Sequence, residues 1–309
     1  MRALLSLTLS LTLGLLLLAA PANATVLGVI TPEQAGEPAT RAAKAAQASA
    51  EEKSWTVERR SGAAASDLAR LKVDALLLIT VRPEAQAATV EAARKAGVPV
   101  VTVLAGASPQ AAFDVTVNQY VAGAQIGAYL LGLADYRGPL VELRADAEPG
   151  AKARARVLDL MLQQEAPDVQ SLGSLQRSAG DRWQDALKRG LEQKLQQAGP
   201  GPLAVWAATD ELALAAEEVL RAAGYGRDRV ALVGTGGTDA AFDRLRDQDG
   251  LLAATLAIPY ELLGEAAVDA LDDLMAGTPP RQVTPGPYLY IEPVLVDRNN
   301  VPGPDELPW

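Results

Sequence analysis

The sequence predicts an α/β fold made of two Rossmann-like parallel-sheet lobes, and three observations carry that expectation. From Thr25 onward, short apolar, β-branched runs alternate with longer alanine-rich amphipathic stretches, the pattern of strand–helix–strand units. Runs such as ALLLIT at 75–80 and VALVG at 230–234 are continuously apolar, as strands buried on both faces by helices should be. The strand candidates also number about ten, more than a single mononucleotide-type sheet usually holds, so two similar lobes are the economical arrangement.

In chain order, strands are expected at Thr25–Ile30, Trp55–Arg59, Ala75–Thr80, Val98–Leu104, Val115–Asn118, Leu140–Leu143, Val169–Leu172, Leu203–Ala208, Val230–Gly234 and Leu252–Ala257. Helices are expected between them at Ala39–Glu52, Ala63–Leu71, Pro83–Ala96, Tyr120–Ala134, Ala151–Glu165, Asp181–Gln197, Asp210–Ala223, Asp239–Asp247 and Tyr260–Met275. Gly97, Gly224 and Gly277 each follow a helical run where a left-handed cap residue belongs, and Pro99 and Pro279 come just after. The last residues, GPDELPW, read as a short irregular extension.

Residues 1–24 have the composition of a secretory signal. Arg2 precedes an apolar run from Ala3 to Ala20, and Ala22-Asn23-Ala24 supplies small residues where a signal peptidase reads them. Cleavage after Ala24 would leave 309 − 24 = 285 residues beginning at Thr25, a soluble product outside the cytoplasm without membrane insertion.

Composition narrows the chemistry further. The chain has no cysteine, so it forms no disulfide, thiolate metal site or lipidated cysteine anchor, and core burial alone must hold the fold. It has no histidine either, which removes Ser-His and Cys-His nucleophile systems and the usual zinc ligand sets. The net charge of −10 disfavours nucleic acid and anionic membranes as partners. Enzymes built on carboxylates or lysine stay open on these grounds. The pairs Glu51-Glu52, Glu217-Glu218 and Asp272-Asp273, however, are sequence neighbours on expected helices and point apart, as solvated surface residues do. The glycine loop at 233–239, VGTGGTD, lacks the final Gly or Ala of a dinucleotide fingerprint and reads as a turn with Thr238 or Asp239 capping the next helix.

Four segments, taken in order, carry a family likeness. NQYVAGAQIGAYL at 118–130, ATDELAL at 208–214, the long run from VALVGTGG at 230 through PYELLGEA at 259, and Tyr290-Ile291-Glu292-Pro293-Val294-Leu295-Val296 followed by Asn299-Asn300-Val301 together resemble the type I periplasmic sugar-binding proteins. The last of these looks like that family's closing strand. The resemblance implies two lobes joined by three crossovers, the first from 25–117 plus 259–286 and the second from 118–258 plus 287–309. It also implies a small-molecule ligand, a sugar or sugar-like solute, held between the lobes, no cofactor and no catalysis. The partner would be an ABC permease, or a membrane kinase or chemoreceptor if the chain senses instead of transporting, and the protein would be a monomer. A secreted carboxylate-based hydrolase is the rival from another class, and it would need two facing carboxylates at strand ends.

Three positions match the family's ligand-side residues, Asn118, Arg154 and Trp183, and Gln34, Thr209, Asp210, Thr235 and Tyr260 complete the candidate ligand-binding set. Arg154 lies in an Arg-x-Arg at a helix start and either reaches the ligand or pairs with Glu148 or Asp146. Trp183 either stacks on the ligand or packs in the core, and Asp210 is expected to cap its helix. The sequence also departs from the family's sugar-gripping pattern. Thr31-Pro32-Glu33-Gln34 stands where an asparagine and paired aromatics are usual, and Leu104-Ala105 where an Asp-Arg pair is usual. Thr209 replaces an asparagine, Gly234-Thr235-Gly236 removes a carboxylate, and a glutamine is missing before Ile258. Buried polar groups left unpaired cost about 1–3 kcal/mol each, so a cleft with these losses should suit a molecule less hydroxylated than a free hexose.

Overall fold

The computed structural model describes residues 24–62, 72–178, 180, 182–199, 201–278, 286–304 and 306–309. Most of the expected signal and the expected helix at 63–71 therefore lie outside the described residues. Two six-stranded sheets form the molecule. The first runs β11-β5-β4-β3-β1-β2, from β1 (Val26–Thr31), β2 (Thr56–Ser61), β3 (Ala75–Ile79), β4 (Val100–Val103), β5 (Phe113–Thr116) and β11 (Tyr288–Tyr290), and all its pairings are parallel. The second runs β12-β10-β9-β8-β6-β7, from β6 (Arg137–Arg144), β7 (Asp168–Gln176), β8 (Leu203–Ala207), β9 (Val230–Gly236), β10 (Leu252–Ala257) and β12 (Val294–Asp297). Every residue of β3 and of β8 is buried, which is what a strand covered on both faces requires.

Helices connect the strands. In the first lobe these are α1 (Glu37–Glu52), α2 (Ala87–Lys95) and α8 (Tyr260–Met275). In the second they are α3 (Gln119–Leu133), α4 (Pro149–Gln164), α5 (Trp183–Ala198), α6 (Asp210–Ala222) and α7 (Asp239–Arg246). Alanines of α1, including Ala42, Ala43 and Ala46, pack with Leu263, Ala267 and Leu271 of α8 in one core cluster with Leu27, Leu77 and Val101 of the sheet. The approach is close enough that a Cβ on Gly264 would lie 2.2 Å from the Ala42 carbonyl oxygen. The second lobe has its own core around Trp206, Leu140, Leu143, Ile126 and Leu256.

The structure departs from the sequence expectation in a few places, each with a physical reason. The helix expected from Pro83 begins as a tight 3-10 turn, Pro83–Gln86, before α2. The stretch expected as one closing strand, 290–296, is two strands in different sheets. Tyr288–Tyr290 pairs parallel with β5, and Val294–Asp297 pairs antiparallel with β10, so the second sheet is not wholly parallel. Pro293 between them has no N–H for a ladder. The chain thus enters the second sheet at Ile291–Pro293, later than the 286/287 boundary expected. Glu217, expected on the solvated surface, is 1% exposed; it accepts from the Leu251 N–H at 2.9 Å and pairs with Arg221 and Arg244.

Candidate functional site

The chain passes between the sheets three times, after the C-terminal ends of β5, β10 and β11. Those strand ends therefore border one interlobe cleft, and the carboxyl ends of parallel strands are where open α/β sheets bind ligands. The cleft-side ends of two first-lobe strands carry left-handed non-glycine residues, Thr80 (φ 55°) and Leu104 (φ 54°). Such backbone costs about 1–3 kcal/mol per residue and persists only where the surroundings fix it. Here the Thr80 N–H donates to Val103 O and the Leu104 N–H to Val115 O.

Arg154 sits on α4 behind this edge and is 4% exposed. One terminal nitrogen donates to Gln119 Oε1 at the start of α3, and the other donates to the Ala208 carbonyl oxygen at the end of β8 at 2.8 Å. It pairs with neither Glu148 nor Asp146, and its Nε has no partner. Burial pulls its guanidinium below the ordinary arginine value, with Tyr260, Glu148 and Asp210 opposing at a distance. The close seat of α4 depends on Gly123 of α3, since a Cβ there would meet Arg154 Cα at 2.8 Å.

Asp210 is 1% exposed and ties the second-lobe strand ends together. Its Oδ1 accepts from Thr255 Oγ1 at 2.6 Å, and its Oδ2 accepts from the Thr238 N–H at 2.9 Å and the Thr238 hydroxyl at 3.2 Å. Burial nevertheless pushes its carboxyl above the usual range, against the lowering effect of those bonds. It does not cap α6. That role belongs to Thr209, whose hydroxyl accepts from the Leu212 N–H at 3.3 Å, because the residue with extended backbone before the helix is the one placed to cap.

The other nominated residues divide by place. Asn118 caps α3, accepting from the N–H groups of Tyr120 and Val121. Thr235, on β9, is 3% exposed and its hydroxyl has no partner. Tyr260 opens α8 with its ring beneath the Arg41 guanidinium, 5.1 Å from the centroid, and burial pushes its hydroxyl well above the ordinary phenol range. Gln34 is exposed in the loop after β1. Trp183 is 7% exposed in the second-lobe core, with Arg177 over its ring at 5.2 Å. The structure thus gathers Asn118, Arg154, Thr209, Asp210, Thr235 and Tyr260 at strand and helix ends along the crossovers.

Sequence reasoning missed Gln119, Thr255 and Asp114. Asp114 is buried in β5, accepting from Thr102 Oγ1 at 2.7 Å and the Ala105 N–H at 2.9 Å. An aspartate inside the apolar run FDVTV was the available signal. Among the described residues no group of three or more acidic side chains is arranged to hold a metal, and no helix is long and apolar enough to cross a membrane.

Residues 27–279 match the family model of the periplasmic binding protein domain. The chain belongs to that family. This periplasmic binding protein is 29% identical over 211 residues, 68% of its length, to the ribose import binding protein of Bacillus subtilis (strain 168), and the match spans 66% of that relative, just under two thirds. Its fold matches a sugar-binding protein of a sugar ABC transporter from Bacillus halodurans, with TM-score 0.76, 19% identity, and coverage of 89% of this chain and 98% of the other. It also matches the 5-methylthioribose transporter solute binding protein from Thermotoga lettingae, solved with 5-methylthioribose, with TM-score 0.73, 17% identity, and coverage of 89% and 86%. These relatives are described as binding components of transporters and not as enzymes.

Proposed function

We propose that this periplasmic binding protein captures a sparsely hydroxylated, sugar-like small molecule between its lobes outside the cytoplasm and delivers it to an ABC importer. The observation that carries this reading is the state of the polar groups at the strand ends. Asp210, Asp114, Asn118 and Thr209 spend their acceptors on the protein's own donors, whereas Arg154 Nε and Thr235 Oγ1 are buried without partners. A free hexose needs a dense set of open acceptors and donors. These two buried donors without partners, together with the Tyr260 hydroxyl, suit a ligand with few, well-placed acceptors.

In this reading Arg154 makes the strongest contact, charge-assisted and oriented by Gln119 and Ala208. Thr235 and Tyr260 add hydroxyls, while Asp210, Thr209 and Asn118 hold the loops around the ligand. Gln34 closes over it from the first lobe, and Trp183 backs the wall from the second-lobe core. The ribose import binding protein of Bacillus subtilis supports a sugar-like ligand, and the sparser hydroxylation rests on the polar groups alone. A thermal-shift screen of the purified protein against pentoses, hexoses, deoxy- and thio-sugars, polyols and nucleosides tests it. Stabilisation by sparsely hydroxylated members is expected, and a response confined to free hexoses would count against it.

A further inference from the structure

We propose that Arg41 and Trp309 form a clasp between the two lobes that sets how far the cleft stands open. Arg41 belongs to the first lobe, where its guanidinium is held by Glu261 of α8 through two bonds at 2.7 and 3.1 Å and by Glu37 at 3.2 Å. From that seat it donates across the cleft to the carbonyl oxygen of Gly237 at 2.9 Å. Gly237 begins the loop that joins β9 to α7 in the second lobe, beside the Thr238 that binds Asp210.

The other half of the clasp comes from the segment after β12. Arg298 donates to the carbonyls of Asp247 and Gly250 at the far end of α7. Arg246 donates to those of Pro302 at 2.9 Å and Gly303 at 3.0 Å, and the Gly303 N–H is taken up by Glu306. The segment is thereby fastened to the second lobe and returns along α7 toward its start. Trp309 packs on the second-lobe core, and its ring lies 5.9 Å from the Arg41 guanidinium, which has Tyr260 at 5.1 Å. A first-lobe cation is therefore in contact with two aromatic rings, one of them carried by the opposite lobe.

Two features make this a device for lobe position and not an ordinary surface contact. The indole Nε1 is buried without a hydrogen-bond partner, so the cation–π contact with Arg41 and apolar packing hold Trp309 there, an arrangement that releases without breaking a hydrogen bond of the indole. A hinge rotation that parts the lobes must also draw Arg41 from both Gly237 and Trp309, which ties the position of a ligand-side loop to the tail. Trp309 lies outside the stretch 27–279 that matches the family.

The inference rests on the two-lobed fold and on no particular ligand, so its test can run without one. The chain has no cysteine, which allows spin labels at Glu52→Cys and Gln248→Cys, exposed at the far ends of α1 and α7. A second pair, Lys152→Cys with Gln248→Cys, lies within the second lobe. Pulsed electron–electron distance measurements on the full-length protein should show a longer and broader interlobe distance for Trp309→Ala and Arg41→Gln. Trp309→Phe should keep the parent distance, and the intralobe distance should be unchanged in all. Interlobe distributions that superimpose on the parent for both Trp309→Ala and Arg41→Gln would overturn the clasp, as would an equal change in the intralobe pair.

Discussion

Arg154 reaches the Ala208 carbonyl oxygen at 2.8 Å, which anchors a buried cation at the carboxyl end of β8 with no carboxylate bonded to it. The desolvation of an arginine is expensive without an anion, so the position is tolerated because Gln119 and Ala208 take two of its donors. Its seat depends on a bare backbone at Gly123. Gly123→Ala should displace α4 and weaken ligand binding at least tenfold while circular dichroism keeps the α/β signature, and unchanged affinity in a titration calorimeter would defeat this linkage.

The contact between Gly264 and Ala42 sets the spacing of α1 and α8. Backbone atoms cannot yield as a flexible side chain can, so Gly264→Ala should cost about 1–3 kcal/mol or more of folding stability. Urea unfolding monitored by tryptophan fluorescence checks it, and a midpoint equal to the parent's would show that the helices part freely.

The buried carboxyl of Asp210 gives a pH signature. Its folded-state value lies above the usual one because of burial, and the unfolded value is about 3.9. A group shifted upward binds its proton more tightly when folded. Its stabilising contribution is thus fully present below the unfolded value and is lost as pH rises through the folded value. Relative to Asp210→Asn, the parent should therefore lose stability as pH rises above the unfolded value, measured by urea unfolding at each pH. A relative gain on raising the pH would mean that the surrounding donors outweigh burial.

Much of the fold was legible because the signals were local. The limits of β10 and α8 coincide with the apolar run at 252–257 and the periodic stretch at 260–275, where strand and helix patterns do not compete. The division of 290–296 was hidden because YIEPVLV reads as one apolar run, and only the pairing partners separate Tyr290 from Val294. The candidate site was legible as a set of positions and not as a set of bonds. Asp210 was expected as a cap, yet its partners Thr238 and Thr255 lie 28 and 45 residues away. Nothing local marks an aspartate for such a bond. Arg41 and Trp309 went unnoticed for the same reason, being 268 residues apart and joined only by the fold.

Export gives a separate prediction. Ala22-Asn23-Ala24 places the cut after Ala24, so intact-mass measurement of protein recovered from outside the cytoplasm should correspond to a chain beginning at Thr25. A mass that includes residues 1–24 would refute cleavage there.

Titration calorimetry with the strongest stabiliser from the thermal-shift screen tests the capture of a small solute by groups at the strand ends most directly. The parent should bind one molecule per chain, and Arg154→Ala should lose on the order of 1–3 kcal/mol, the range for a hydrogen bond to a charged group. Parent-like binding by Arg154→Ala, or submicromolar binding of glucose, ribose or galactose by the parent, would contradict the account of this cleft.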